Sequence, residues 1–93
     1  MLTLDKVYKA SHVLKEVIRE TDLIKAPKIN KEAEVYLKTE NLQVTGSFKV
    51  RGAYNKIMKR YAEGDLHAVV ASSAGNHAQG VAFAASSVGV KST

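Results

Sequence analysis

The stretch TGSFKVRGAYNKI, residues 45–57, places a lysine close behind a glycine and a serine, where a polar loop gives way to an amphipathic helix. From Ser47 to Ala62 the residues Val50, Ala53, Tyr54, Ile57, Met58 and Tyr61 recur at i, i+3, i+4, i+7, i+8 and i+11. That spacing predicts a helix with one buried face. Gly46 permits a tight turn before it, Ser47 can cap it, and Gly64 stands where a helix terminator belongs. Lys49 falls in the first helical turn. The positive end of the helix dipole disfavours another cation there, and partial burial pushes the same way, towards a neutral amine. A neutral lysine amine can form a Schiff base with an aldehyde. Position alone leaves two readings open, a reactive amine and an ordinary solvated charge. A P-loop is excluded, because the required G-x-x-x-x-G-K-[ST] has no match: Phe48, not glycine, stands immediately before Lys49, and Val50 follows it.

On the N-terminal side, residues 3–19 read as a helix, with Thr3 as its cap, Asp5 in its first turn and Leu4, Val7, Tyr8, Leu14 and Ile18 on one stripe. LIKAP, residues 23–27, looks extended and ends at the only proline. AEVYLKTE, residues 33–40, reads as a strand and NLQVTG, residues 41–46, as a loop. On the C-terminal side, HAVVASS, residues 67–73, suits a buried strand. Residues 74–89 return to helix, ended by Gly89, and VKST opens another strand. Strands alternating with helices argue for α/β architecture, a partial open parallel sheet with flanking helices. The pattern breaks off at a strand with no following helix, so the 93 residues are expected to be one segment of a longer catalytic domain.

Composition narrows the function. With 45% hydrophobic and 25% charged residues the chain is expected to be globular, burying about 60–65% of its unfolded surface if it stands alone. It has no cysteine, so disulfides and thiolate metal sites are excluded, and its three histidines lack metal-ligand spacing. No apolar run approaches a membrane span and the N-terminus is no secretory signal, so no membrane partner and a cytoplasmic location are expected. The net charge of +5 raises nucleic-acid binding. The basic residues are spread along the chain with few aromatics among them, which favours solvated helix faces and no nucleic-acid partner.

A second junction, SSAGNH at residues 72–77, also leads from a strand into a helix. Ser72, Ser73, Ala74, Gly75 and Asn76 are small or polar, and such a turn offers unpaired backbone N–H groups to a carboxylate or phosphate. Ser73 can add a hydroxyl, and Asn76 an amide that can donate to a ring oxygen. A plain capping turn without ligand is the alternative, and His77 can be a ligand contact or a packed residue.

Taken together, ENLQVTGSFKVRGAYNKI followed by VVASSAGNHAQGVAFAA resembles the threonine dehydratases (threonine ammonia-lyases), pyridoxal-phosphate enzymes of the tryptophan-synthase-β-like fold, fold type II. The resemblance runs through nearly the whole chain, including LTLDKVYKASHVL and VYLKTENLQ. It implies that residues 1–93 are the N-terminal segment of such a catalytic domain and that pyridoxal 5'-phosphate is the cofactor. It implies that Lys49 holds that cofactor, that Phe48 packs beside its ring and that Asn76 hydrogen-bonds the ring hydroxyl. Ser73, with the backbone of Ala74, Gly75, Asn76 and His77, would grip the carboxylate of the amino-acid substrate. The implied reaction is elimination of L-threonine to 2-oxobutanoate and ammonia, with L-serine giving pyruvate, and full-length members are expected to be homo-oligomers. FKVRG is the dehydratase form of the lysine motif, where cysteine and threonine synthases carry an acidic residue after the lysine. Ala74 stands where serine racemases have a second serine, so elimination without racemisation is expected. Asp22 stands where the family has a proline, a change expected to affect the local turn. The family's glycine-rich phosphate loop has no counterpart in these 93 residues, so the chain by itself is expected to be inactive. The competing expectation is a non-catalytic remnant or a small basic interaction module.

Overall fold

Val50, Ala53, Tyr54 and Ile57 lie buried along one face of α2 (Lys49–Ala62), as their spacing predicts, and Val50 is fully enclosed. The computed structural model describes residues 1–93. Met58, at the edge of the stripe, is half-buried and Tyr61 is exposed. The helix begins two residues later than expected. Ser47 is extended at φ −158°, ψ 166°, and its hydroxyl accepts the Lys49 N–H at 3.2 Å, so it ties down the approach to the helix from outside.

α3 (Asn76–Ser87) lies against α2 through Gly80, Val81, Ala84 and Ala85, all buried. Small side chains let the two backbones close up. A Cβ added at Gly80 would sit 3.2 Å from the backbone carbon and oxygen of Lys49 and from the Val50 nitrogen. The core is Leu14, Ala53, Tyr54, Ile57, Val81 and Ala84, with Ile18, Met58, Val69 and Phe83 packed at its margin. It is the seam between α2 and α3, closed at one end by Leu14.

α1 (Leu4–Leu14) is capped by Thr3, whose hydroxyl accepts the Lys6 N–H at 3.4 Å. It ends five residues short of the predicted helix over 3–19. Beyond Leu14 the backbone tightens into a turn, with the N–H groups of Val17 and Ile18 both donating to the Leu14 carbonyl. The predicted stripe is only partly used. Leu14 is buried and Ile18 half-buried, while Leu4, Val7 and Tyr8 are exposed because no other element lies beneath them.

The strands form two separate pairs. β1 (Leu23–Lys25) and β2 (Tyr36–Lys38) are antiparallel, Leu23 opposite Lys38 and Lys25 opposite Tyr36. β3 (Ala68–Val69) and β4 (Lys91–Ser92) are parallel, with α3 as their crossover. The α/β class and the partial parallel sheet hold, but the parallel sheet is confined to the β3–α3–β4 unit. Parallel partners need a helical crossover, which α3 supplies; the short link between β1 and β2 contains no helix and allows only the antiparallel pairing. The predicted buried strand over 67–73 is corrected too. Its ladder is confined to Ala68 and Val69, with one further bond from the Ala71 N–H to the Thr93 carbonyl, and Val70 is 82% exposed, because a two-stranded sheet has no second layer to cover it.

The surface follows from that architecture. The chain extends over 51 × 32 × 24 Å with a radius of gyration of 15.6 Å, where a self-contained domain of this length has about 12 Å. Its accessible surface is 7050 Å², against about 5300 Å² expected for its mass. Only about half of the unfolded surface is buried, less than the 60–65% expected, because β1, β2, β3 and most of α1 have one layer only.

Candidate functional site

The contact at Gly80 joins the two loops singled out in the sequence. Lys49 opens α2, and its backbone rests on Gly80, four residues into α3. Four residues of helix rise about 6 Å. The first turn of α3 therefore lies about one helical turn from the backbone of Lys49. The tight turn Val44–Gly46 also touches α3, so TGSFK and SSAGNH converge.

The Lys49 side chain is exposed; the expected partial burial is not found, because Lys49 lies off the Val50–Ala53–Tyr54–Ile57 stripe and nothing else covers it. Its ammonium sits 5.4 Å from the centroid of the Phe48 ring, itself 59% exposed, and none of the ion pairs engages it. The side-chain nitrogen is thus exposed and unpaired, with an aromatic face beside it.

α3 starts without a side-chain cap. Gly75, at φ −149° and ψ −136°, precedes it, and the first internal bond runs from the Gln79 N–H to the Gly75 carbonyl. The N–H groups of Asn76, His77 and Ala78 have no acceptor within the chain. Ser73, Ala74, Gly75 and Asn76 are exposed beside them, and the Ser73 hydroxyl accepts the Gly75 N–H at 3.3 Å. Free donors at the positive end of a twelve-residue helix suit an anion. His77 also lines a cleft of about 230 Å³ with Gly52, Lys56, Val69 and Val70, and Lys49 takes no part in that lining.

Three residues of the stretch 40–57, to which the sequence alone assigns no role, stand directly behind the lysine loop. Glu40 accepts two bonds from Arg51, from Nε and one terminal nitrogen, each at 2.9 Å, and one from the Thr21 hydroxyl at 2.6 Å. Gln43, 4% exposed, accepts the backbone N–H groups of Arg19 at 2.8 Å and Val44 at 2.9 Å, and donates to the Arg19 carbonyl at 2.9 Å. No periodicity relates Glu40, Gln43 and Arg51. The available signal was an acid, an amide and a guanidinium crowded into twelve residues around a buried helix start. The Arg51 hydrogen bonds, helped by those from Thr21 and Gln43 and opposed by burial, lower the Glu40 pKa from 4.5 to about 2. Its folded value lies below its unfolded one, so the pair's contribution is present above pH ~4.5 and is lost as pH falls towards about 2. With the Glu40 side chain 15% exposed, that contribution is on the order of 2–3 kcal/mol. Unfolding measured between about pH 6 and pH 2 is expected to show wild type losing this increment relative to Glu40→Gln; parallel pH profiles for the two would contradict it.

The exposed lysine at one helix start, its backbone packed against a second helix that begins with open donors, sits in an α/β arrangement of two adjoining strand-to-helix junctions. Residues 14–93 match the family of pyridoxal-phosphate-dependent enzymes, and the chain belongs to that family. It is 50% identical to the L-threonine ammonia-lyase of Thermotoga maritima, over all of this chain and 24% of that protein. Among solved structures it superposes on a T.th. threonine deaminase with a TM-score of 0.83 at 37% identity, covering 99% of this chain and 33% of that one. It superposes likewise on a pyridoxal 5'-phosphate-dependent aspartate racemase with a TM-score of 0.87 at 37% identity, covering 98% and 30%. The chain spans about a quarter of the length of the curated relatives it matches.

Proposed function

We propose that Lys49 is the amine that holds pyridoxal phosphate, and that the protein carrying this chain converts L-threonine to 2-oxobutanoate and ammonia, and L-serine to pyruvate and ammonia. The observation that carries the reading is the Gly80 contact, which sets the backbone of Lys49 within about a turn of the open start of α3. The residues fit one end of the cofactor. The Lys49 amine is exposed and unpaired, the Phe48 ring lies beside it, and the α3 donors are free for a carboxylate. The phosphate end finds no glycine-rich run among the 93 residues, so its binding falls to other residues.

When bound, the cofactor supplies an aldehyde that takes up amines and an electron sink for charge developing at Cα. The chain's own groups do the rest. The N–H groups of Asn76, His77 and Ala78, with the Ser73 hydroxyl, bind and orient the substrate carboxylate. The Asn76 side-chain amide would be the donor to a ring oxygen of the cofactor. Lys49 Nζ would serve as the base that takes the Cα proton. Ala74 has no hydroxyl and returns no proton to Cα, which favours elimination over racemisation, even though a racemase is among the chain's structural neighbours.

The test has two readouts on the 93-residue chain. Treated with pyridoxal phosphate and then borohydride, it is expected to carry the reduced adduct preferentially at Lys49 over its ten other lysines, as located by peptide mass mapping. Supplied with L-threonine, it is expected to form no 2-oxobutanoate in a saturable manner. Labelling indifferent to Lys49 would remove the amine assignment, and saturable 2-oxobutanoate would show that the phosphate-holding residues are dispensable.

A further inference from the structure

We propose that Glu40, Gln43 and Arg51 form a brace that positions Lys49 by holding the strained turn at which α2 begins. This rests on the reading of Lys49 as the cofactor's amine. The turn needs holding. Thr45 sits at φ 69°, ψ 2°, a left-handed conformation that costs a β-branched residue on the order of 1–3 kcal/mol. Its hydroxyl is buried without a hydrogen-bond partner, so the side chain gives nothing back. Gly46 follows at φ +75°, and Lys49 comes three residues later. A chain left to itself would relax such a turn and fray the first turn of the helix.

The brace grips that segment from three sides. Gln43 fastens the residue before it, Val44, to the Arg19 backbone beyond α1. Glu40 is tied to Thr21, next to β1, and by both nitrogens of the fork to Arg51, in the first turn of α2. Thr45 and Gly46 are thus clamped between Gln43 and the start of the helix. Arg51 follows Lys49 by two positions, so the two side chains leave different faces of α2. Arg51 can therefore anchor the first turn while the Lys49 amine stays free on another face. A planar, bidentate guanidinium–carboxylate pair fixes orientation as well as distance, which a point charge does not. None of the three residues has been placed at cofactor or substrate, and their role is to set where the amine stands.

The experiment uses the share of reduced pyridoxal-phosphate adduct found at Lys49, with the ten other lysines as internal standard. A purely stabilising pair moves the unfolding midpoint but leaves that share unchanged, whereas a positioning pair changes both. Glu40→Gln is expected to lower the Lys49 share at least about threefold in a chain whose far-ultraviolet circular dichroism remains native. Arg51→Lys, which keeps the charge and loses the fork, is expected to move it in the same direction. An unchanged share in folded Glu40→Gln overturns the proposal. If that variant does not fold, Arg51→Lys is judged by the same criterion, and if neither folds the pair is a stability element and the proposal falls. Failure of the underlying reading shows separately, in wild type, as no preference for Lys49, and the positioning role falls with it.

Discussion

Lys49→Arg is expected to fold like the parent chain and to lose the preferred pyridoxal-phosphate adduct completely. The Lys49 side chain is exposed and engaged in no ion pair, so exchanging its ammonium for a guanidinium is expected to change unfolding free energy by less than about 0.5 kcal/mol. Charge at the start of α2 is preserved, so any loss is chemical. A guanidinium stays protonated and cannot condense with an aldehyde. On the proposed function, removal of the Lys49 base is expected to lower 2-oxobutanoate formation by the active enzyme about 10²–10⁴-fold. Borohydride trapping and urea unfolding on the same preparation check both halves. Retained preferential trapping at a second lysine, with stability unchanged, would place the reactive amine elsewhere.

Gly80→Val carries a large expected structural effect. The atoms that a Cβ at Gly80 would meet at 3.2 Å are the backbone of Lys49 and Val50, which cannot swing aside as a side-chain tip does. Valine adds two methyl groups to that Cβ, and such overpacking costs about 1–3 kcal/mol. The gain in helix propensity over glycine returns roughly 0.3–0.5 kcal/mol. In a chain whose core is a single helix–helix seam, a net loss on the order of 2 kcal/mol is a large share of the total. Gly80→Ala separates the two terms: its overlap is smaller and its propensity gain is about 1 kcal/mol, so a near-neutral result is expected. Urea unfolding of the three chains checks the order. If the close approach also sets the site, the Lys49 share of adduct falls in Gly80→Val, since α3 and the lysine loop are pushed apart. Equal stability of Gly80→Val and wild type would mean that the two helices separate at no cost.

The three helices were legible because each is a local pattern. Val50, Ala53, Tyr54 and Ile57 repeat at helical spacing, and burial follows that repeat with no knowledge of the partner. Thr3 and Gly89 act within a few residues of themselves as cap and terminator. The two loops were legible for a related reason, since amine chemistry and open helix donors are properties of residue type and position at a helix start. The resemblance to the family is read at this level, from TGSFK and SSAGNH taken in order, and the family match spans residues 14–93.

Tertiary structure alone decided how those pieces meet. Which strands pair, and that β1 and β2 form an antiparallel pair apart from β3 and β4, depends on contacts no local period encodes. Leu4, Val7 and Tyr8 carry a helical stripe as clear as that of α2, yet they stay exposed because burial needs a second surface as well as a pattern. Glu40, Gln43 and Arg51 become one brace only when the chain folds back from Arg19 to α2, which no spacing announces. Likewise Gly80 reads as one more small residue until its missing side chain proves to be the space in which the backbone of Lys49 rests. The sequence by itself determined which groups could do chemistry, because reactivity belongs to the side chain; the fold decided that they lie within reach of one another, because distance belongs to packing.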